Sequence, residues 1–247
     1  MLIAAAEEER FSRKKHDFNF PRLAIQFCLT TAGISAADVD YVVFLEKPFV
    51  KFERIVLSSL QTFPKSCGVF RKSMKTWLSE KLWIKTLIQK EIGVTVDKIL
   101  FSEHHLSHAA SAFFCSPFDE AALLTADGVG EWTTTSYGVG KGTELKLWKE
   151  LRFPNSLGLL YSTFTAFLGF EVNEGEYKVM GMAPFGTARH ADKIHKLLRI
   201  ENDGSFALQM DYFSFHYSTK KMFRRKFEGL FGPPRKPESH FFTAISG

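Results

Sequence analysis

Apolar and polar residues alternate along the chain with two different periods, and this pattern predicts helices and strands in turn. Between Pro21 and Ala32 the apolar residues recur at helical spacing, and the stretch ends at Gly33, which is typical of a helix C-terminus. The segment from Val39 to Leu45 is rich in β-branched and aromatic residues and predicts a strand. The apolar run from Leu2 to Ala6 predicts another strand.

Helical periodicity continues through the middle of the chain. It predicts one helix from Phe52 to Phe63 and a long amphipathic helix from Met74 to Ile92, which Gly93 ends. The short apolar segment from Lys98 to Phe101 predicts a strand that leads into a histidine-rich helix.

Strand patterns dominate from Ala121 onward. Three strands separated by glycine-rich turns are expected to form an antiparallel meander: Ala121 to Thr125, Thr133 to Val139 and Leu145 to Phe153. The remaining pattern predicts a helix from Ser156 to Leu168, a glycine-punctuated loop from Gly169 to Gly186 and a helix from His190 to Ile200. Together these elements predict an α/β domain with a mixed sheet flanked by helices.

Composition places the chain among soluble globular proteins. With 247 residues, of which 45% are hydrophobic, it can bury a sizeable core. It contains no apolar run of about 18 residues, so a membrane span is not expected. Cys28, Cys67 and Cys115 form no CxxC pair, which favours a reducing compartment, and we expect the cytoplasm.

The formal net charge of +5 raises the question of a nucleic-acid partner. Basic residues gather in Arg10 to Lys15, Arg71 to Lys75 and Lys220 to Lys236, but acidic residues are interspersed along the chain. No nucleic-acid-binding motif accompanies these clusters. A solvated surface is therefore the preferred interpretation, and nucleic-acid binding is not expected.

Two histidines and an aspartate suggest a metal centre. His104 and His108 are four residues apart and share one face of a helix, and Asp127 follows a buried strand where a glycine turn leaves room for a ligand. Two imidazoles and one carboxylate suit divalent iron, manganese or zinc. The alternative is a pair of ordinary surface or core histidines. The zincin motif is excluded because His105 stands where that motif has glutamate.

The turn after Asp127 is a candidate phosphate-binding loop. Gly128 and Gly130 allow backbone N–H groups to approach a phosphate without obstruction by side chains. The alternative is an ordinary hairpin turn.

The segment from Gly175 to Gly186 is a second candidate loop for a nucleotide or substrate. Gly175 and Gly181 permit close backbone approach, Glu176 can accept hydrogen bonds from hydroxyl groups, and Lys178 can bind phosphate. The alternative is a structural crossover in which Lys178 is only solvated.

Four segments together resemble the N-terminal half of the O-carbamoyltransferases of the nodulation-factor, cephamycin and tobramycin type. They are Ala4 to His16 with Phe20 and Pro21, Glu103 to Ala112, Asp127 to Trp132, and Gly175 to Gly186. Each segment alone is weak evidence, but their order and spacing resemble those of the family from about residue 2 to at least Pro237.

The resemblance implies an actin-like fold of the acetate-kinase and sugar-kinase superfamily. In that family a separate C-terminal domain uses ATP and carbamoyl phosphate to make carbamoyl adenylate. The domain that this chain resembles passes the carbamoyl group to a hydroxyl of a sugar or natural product. It does so at a divalent metal, usually iron, and the residues that match its ligands are His104, His108 and Asp127.

The resemblance also implies that residues 1–247 are a partial carbamoyltransferase domain, incomplete at both ends. Family members begin with a strand and loop whose histidine is the expected catalytic base, so that the catalytic residue is unknown here. The fourth ligand and the adenylate-forming domain would lie beyond Gly247, and Ala244 to Gly247 look like an interrupted helix. A fragment is favoured over a short form that works with partner chains. The alternative functions are a kinase of the same superfamily and a non-catalytic metal- or nucleotide-binding module.

Overall fold

Helices and short strands alternate along the residues that the computed structural model describes, which are 2–17, 19–79 and 81–239. The helices are α1 (Glu9–Ser12), α2 (Arg22–Ala32), α3 (Pro48–Gln61), α4 (Cys67–Ser79), α5 (Ile84–Ile92), α6 (His104–Phe113), α7 (Leu157–Phe167), α8 (Glu176–Met182), α9 (Ala191–His195) and α10 (Arg225–Phe231). The strands are β1 (Val42–Phe44), β2 (Ile99–Phe101), β3 (Glu120–Ala126), β4 (Thr133–Lys141), β5 (Glu144–Arg152), β6 (Leu198–Ile200) and β7 (Phe206–Leu208). The expected α/β class is confirmed. Within these residues, no helix combines the length and apolar composition that a membrane crossing requires.

Strands β1 and β2 form a parallel pair in which Val42 lies opposite Ile99. Parallel neighbours need a long crossover connection, and α3, α4 and α5 provide it. Ile88 and Val94 pack with Ile99 in a small buried core beside the pair. Because β2 leads directly to α6, this core fixes where the histidine helix begins.

The long helix expected from Met74 to Ile92 is divided in the structure. Helices α4 and α5 are separated by a 3₁₀ turn over Lys81–Trp83. The Trp83 indole N–H donates to the Leu78 carbonyl at 2.8 Å. This carbonyl is one that the next turn of a continuous helix would use, so the indole satisfies it and the helix ends.

Strands β3, β4 and β5 form the expected antiparallel meander, with β4 in the middle. Glu120 lies opposite Lys141 in the first pair, and Thr133 lies opposite Arg152 in the second. Helix α6 packs on this sheet through Ala109 and Phe113. The predicted strands and the histidine helix are therefore confirmed, and their packing fixes α6 beside the end of β3.

A third core lies in the C-terminal part of the described chain. Seven buried residues form it: Leu160, Phe167, Leu197, Leu208, Phe213, Phe223 and Phe227. Helix α7 contributes to this core and begins as predicted at Ser156, whose hydroxyl accepts a hydrogen bond from the Leu159 N–H at 2.9 Å.

Two predictions of local structure in the C-terminal half were wrong. The loop expected from Gly169 to Gly186 contains helix α8, because most of its residues are good helix formers and a glycine near a helix end costs little. The helix expected from His190 to Ile200 covers only α9, since Leu198–Ile200 pairs with β7 as strand β6. Tertiary pairing overrides the weak helical pattern there.

The expected strand from Leu2 to Ala6 is also absent from the described structure. Leu2 and Ile3 are 68% and 53% exposed, and none of the described strands pairs with this segment. Without a neighbouring strand, the backbone has no partner for the ladder of hydrogen bonds that defines a strand.

Parallel and antiparallel pairing occur in separate sheets among the described residues, rather than in the single mixed sheet that was expected. The parallel pair, the meander and the β6–β7 pair each pack against different helices.

The interrupted helix expected over Ala244 to Gly247 lies outside the described residues.

Candidate metal centre

The first two turns of α6 carry both histidines of the candidate metal pair. Because His104 and His108 are four residues apart on this helix, their side chains lie on one face. Their ring centres are 4.7 Å apart, and their Nε2 atoms are 3.0 Å apart. His108 is half exposed, whereas only 13% of the His104 side chain is exposed. One candidate ligand is therefore fixed inside the protein and the other is accessible from solvent.

Asp127 meets this pair from the end of β3. Its Oδ2 lies 2.8 Å from His104 Nε2 and 3.9 Å from His108 Nε2. One ligand atom from each of the three residues lies within 4.8 Å of the others. The structure thus brings together the three residues that were predicted from widely separated parts of the sequence.

The backbone around Asp127 is held by the start of α7. The Ser156 hydroxyl has one hydrogen, which is shared between the Gly128 carbonyl at 2.7 Å and the Asp127 carbonyl at 3.0 Å. Gly158 allows the helix to approach this closely, since a Cβ at that position would lie 2.6 Å from backbone atoms of Asp127 and Gly128. The Ser156 hydroxyl and the close packing at Gly158 therefore both fix the turn that carries the Asp127 carboxylate.

Electrostatics favour an ion pair between His104 and Asp127. The hydrogen bond with Asp127, followed by the interaction with Glu46, raises the pKa of His104 to about 9. The same bond with His104 lowers the pKa of Asp127 to about 2, although burial opposes the shift. At neutral pH the imidazole is therefore protonated, and a metal that binds Nε2 has to displace that proton.

Glu46 is a second carboxylate near His104 that sequence reasoning did not identify. Its Oε2 lies 3.7 Å from His104 Nδ1 and 2.6 Å from the Lys51 ammonium. Burial raises the pKa of Glu46, but the interaction with His104 and the hydrogen bond with the Lys51 ammonium outweigh it and lower the pKa to about 2. At this distance the charged carboxylate attracts the protonated ring of His104 electrostatically. No sequence signal pointed to Glu46, because the contact depends on how β1 and α6 are placed.

The third histidine of the cluster, His105, faces away from the other two and into the protein. Its Nδ1 lies 2.6 Å from Thr125 Oγ1, and its Nε2 lies 2.9 Å from the Thr133 carbonyl oxygen. Burial lowers the pKa of His105, so the neutral imidazole is favoured. With both ring nitrogens bound to β3 and β4, this side chain attaches α6 to the meander.

The glycines after Asp127 have contacts inside the turn. The Gly128 N–H donates to Asp127 Oδ1 at 2.6 Å, and the Gly130 N–H donates to the Thr133 carbonyl at 2.9 Å. A Cβ at Gly130 would lie 2.8 Å from His104 Cβ. The structure therefore gives Gly130 a role in the close approach of the turn to His104. Phosphate binding by these two amides stays a prediction.

The second set of predicted binding residues lies on and beside α8. Glu176 Oε1 accepts a hydrogen bond from the Ser162 hydroxyl at 2.8 Å, which joins α8 to α7, and another from the Asn173 N–H at 3.1 Å in the preceding turn. The exposed Lys178 ammonium lies 5.9 Å from the ring centre of Tyr177. Gly175 and Gly181 lie at the start and near the end of α8. Among the described residues, no hydrogen bond or ion pair joins this set to the histidine cluster, and its ligand stays a prediction.

A cleft of about 470 Å³ opens beside the N-terminus of α6, on the side where His105 lies. Trp132, Trp148 and Glu150 are among the residues that line it, together with Glu131. Glu131 is buried and accepts hydrogen bonds from the backbone N–H groups of two segments. It belongs to the segment that resembles the carbamoyltransferases, but neither its spacing nor its residue type predicted these contacts.

The sequence of this chain is similar to those of several known proteins. A family model described as the carbamoyltransferase N-terminus matches residues 1–242. An uncharacterized protein of Synechocystis sp. is 52% identical over 249 residues, covering 97% of this chain and 40% of that protein. The nodulation protein NolNO of Sinorhizobium fredii is 36% identical over 216 residues, covering 85% of this chain and 30% of that protein. The chain thus spans less than half the length of each of these relatives.

Proposed function

This chain belongs to the carbamoyltransferase N-terminal family, and from that membership we propose that it transfers a carbamoyl group to a hydroxyl at a divalent-metal site. The family match over residues 1–242 confirms the resemblance drawn from four short segments. The actin-like fold that this resemblance implies is part of the proposal. It is supported by the alternation of helices and strands.

The proposal extends beyond the described residues because the relatives are longer than this chain. In it, ATP and carbamoyl phosphate yield carbamoyl adenylate in a further domain, and the acceptor is a sugar or natural product with a free hydroxyl. The residues proposed to contact the nucleotide or the acceptor are Gly128 and Gly130 of the turn, Gly175 directly before α8, and Glu176, Lys178 and Gly181 of α8. The exposed ammonium of Lys178 supports this assignment most directly, since it is accessible to a phosphate.

The convergence of His104, His108 and Asp127 carries the proposal. Two imidazole nitrogens and one carboxylate oxygen within 4.8 Å are a donor set that suits iron(II), with zinc or manganese as alternatives. Because His108 is half exposed, one side of this set is open to a substrate. A metal bound there would act as a Lewis acid that neutralises negative charge on the phosphate of the adenylate.

The chain's own residues prepare this site in two ways. Glu46 faces Nδ1 of His104, so that the opposite nitrogen, Nε2, is directed toward Asp127 and His108. Ser156 holds the backbone that carries Asp127. Ligands that are fixed before the metal and substrate arrive need little reorganisation, which favours catalysis.

Metal titration of the purified 247-residue chain tests the proposal. We expect His108→Ala to weaken binding of iron(II) or zinc by at least about 100-fold, because it removes a ligand. Loss of a group that only orients ligands lowers metal affinity by about 10–100-fold. His195→Ala is the matched control because His195 is also exposed and lies on α9. Equal affinity in the wild type, the His108 variant and the control would contradict the proposed site.

A further inference from the structure

A buried carboxylate lies behind the metal centre and contacts the beginnings of two helices. Glu131 is only 7% exposed. Its Oε1 accepts the Lys47 N–H at 2.7 Å, and both of its oxygens lie 3.1 Å from the His104 N–H. Lys47 immediately precedes α3, and His104 is the first residue of α6.

Both helices need an acceptor at this end. The first N–H groups of an α-helix have no partner inside the helix and are usually capped by a nearby side chain. The residues directly before α3 and α6 are Lys47 and Glu103, and neither side chain caps its helix in the described structure. Glu131 takes this role for both helices from a distant part of the chain. The positive ends of the two helix dipoles stabilise its negative charge.

A buried carboxylate also needs a countercharge, and Arg54 of α3 supplies one. Arg54 is 8% exposed and interacts electrostatically with Glu46 and Glu131. Burial lowers the pKa of Arg54 to about 10, so the guanidinium stays charged at neutral pH. Unpaired buried charges are costly, and this arrangement places opposite charges together.

The position of Glu131 in the chain connects this contact to the metal ligands. Asp127 and Glu131 lie at the two ends of the same short turn between β3 and β4. The turn therefore supplies one ligand directly and also holds the N–H of His104, which is another ligand. Gly130 permits the approach, because a Cβ there would meet the His104 side chain at 2.8 Å.

We infer that Glu131 is a positioning residue for the metal centre, which fixes the N-terminus of α6 so that His104 and His108 face Asp127. The inference rests on the proposed function and adds a residue to it. Glu131 contacts neither the metal nor the substrate in this role. Its carboxylate sets the distance between the ligands of α6 and the ligand of the turn.

Cobalt(II) titration, followed through visible absorption, tests the inference in the 247-residue chain. Glu131→Gln has the same shape but loses the charge and one acceptor oxygen. We expect it to weaken cobalt binding by about 10–100-fold, the range found for groups that orient metal ligands, and to shift the absorption bands. Glu103→Gln is the matched control, since Glu103 is adjacent to His104 but exposed and paired with the Lys47 ammonium. The control is expected to bind like the wild type.

Hydrogen exchange provides a readout that does not depend on the metal. In Glu131→Gln, we expect exchange protection of the Lys47 and His104 amides to fall at least about tenfold, as loss of a hydrogen bond to a charged acceptor predicts. If the Gln variant does not fold, Glu131→Asp keeps the charge but shortens the reach, and the same losses are expected of it. Unchanged cobalt binding and unchanged amide protection in the folded variant would overturn the inference. A wild-type chain that binds no cobalt but loses this protection on substitution would refute the proposed function and leave the helix contact established.

Discussion

Gly158 shows how one hydrogen atom in place of a side chain supports the candidate metal centre. A Cβ at this position would lie 2.6 Å from backbone atoms of Asp127 and Gly128, which cannot move as a flexible side chain can. We expect Gly158→Ala to destabilise the chain by about 1–3 kcal/mol, the cost typical of overpacking. Because the displaced backbone carries Asp127, metal affinity should fall as well. Denaturant unfolding and metal titration measure the two effects.

The control for this substitution is Gly181→Ala on α8. Beyond its chain neighbours and the backbone of its own helix, no atom lies within 4 Å of a Cβ built there, so the methyl group has room. Alanine is favoured over glycine in a helix, and we expect the free energy of unfolding to rise by about 0.5–1 kcal/mol. If Gly158→Ala unfolded at the same denaturant concentration as the wild type, the close contact between α7 and the Asp127 turn would not be important for stability.

The functional residues that could be predicted from the sequence rest on local patterns, whereas those that could not depend on contacts between distant segments of the chain. His104 and His108 were predictable because helical spacing alone places them on one face, and Asp127 was predictable as the end of a buried strand. Glu46 and Glu131 were not. Their contacts with His104 join segments that are far apart in sequence, and a carboxylate in such a segment looks like any other surface charge.

Helix α10 contributes the central residue of the C-terminal core. Phe227 is fully buried, and its ring centre lies 4.7–6.2 Å from those of five other phenylalanines: Phe164, Phe167, Phe213, Phe223 and Phe231. We expect Phe227→Ala to lower the free energy of unfolding by about 3–5 kcal/mol, because it removes a large buried side chain and leaves a cavity. Urea unfolding measures this cost. Phe185→Ala, at an 80% exposed position, should change stability by less than about 0.5 kcal/mol.

Elements with a strong local signal formed where the pattern predicted them, and the others depended on tertiary contacts. Helix α7 has an apolar face and a serine cap, and the meander has glycine turns at its ends, so both were predictable. The break before α5 was not, because it depends on the Trp83 indole reaching the Leu78 carbonyl. Strand β6 likewise exists because β7 is there to pair with it.

On the scale of the whole molecule, the candidate metal centre connects parts of the chain that have separate small cores. Helix α6 follows the parallel β1–β2 pair, whereas Asp127 belongs to the turn of the meander and is held by α7 of the C-terminal core. A ligand that binds only this folded arrangement stabilises all of it by mass action. Metal should therefore raise the stability of the entire chain, rather than order one loop.

Thermal unfolding with and without metal checks this last expectation. At a free metal concentration of 100 times Kd, binding contributes about 2.7 kcal/mol. For a chain of 247 residues, this corresponds to an increase in Tm of about 5–10 °C, and removal of the metal with a chelator should reverse it. His108→Ala should lose most of the increase, while His195→Ala should keep it. An equal increase in all three proteins would mean that the metal binds elsewhere, and that the three converging side chains form an ion pair without a metal.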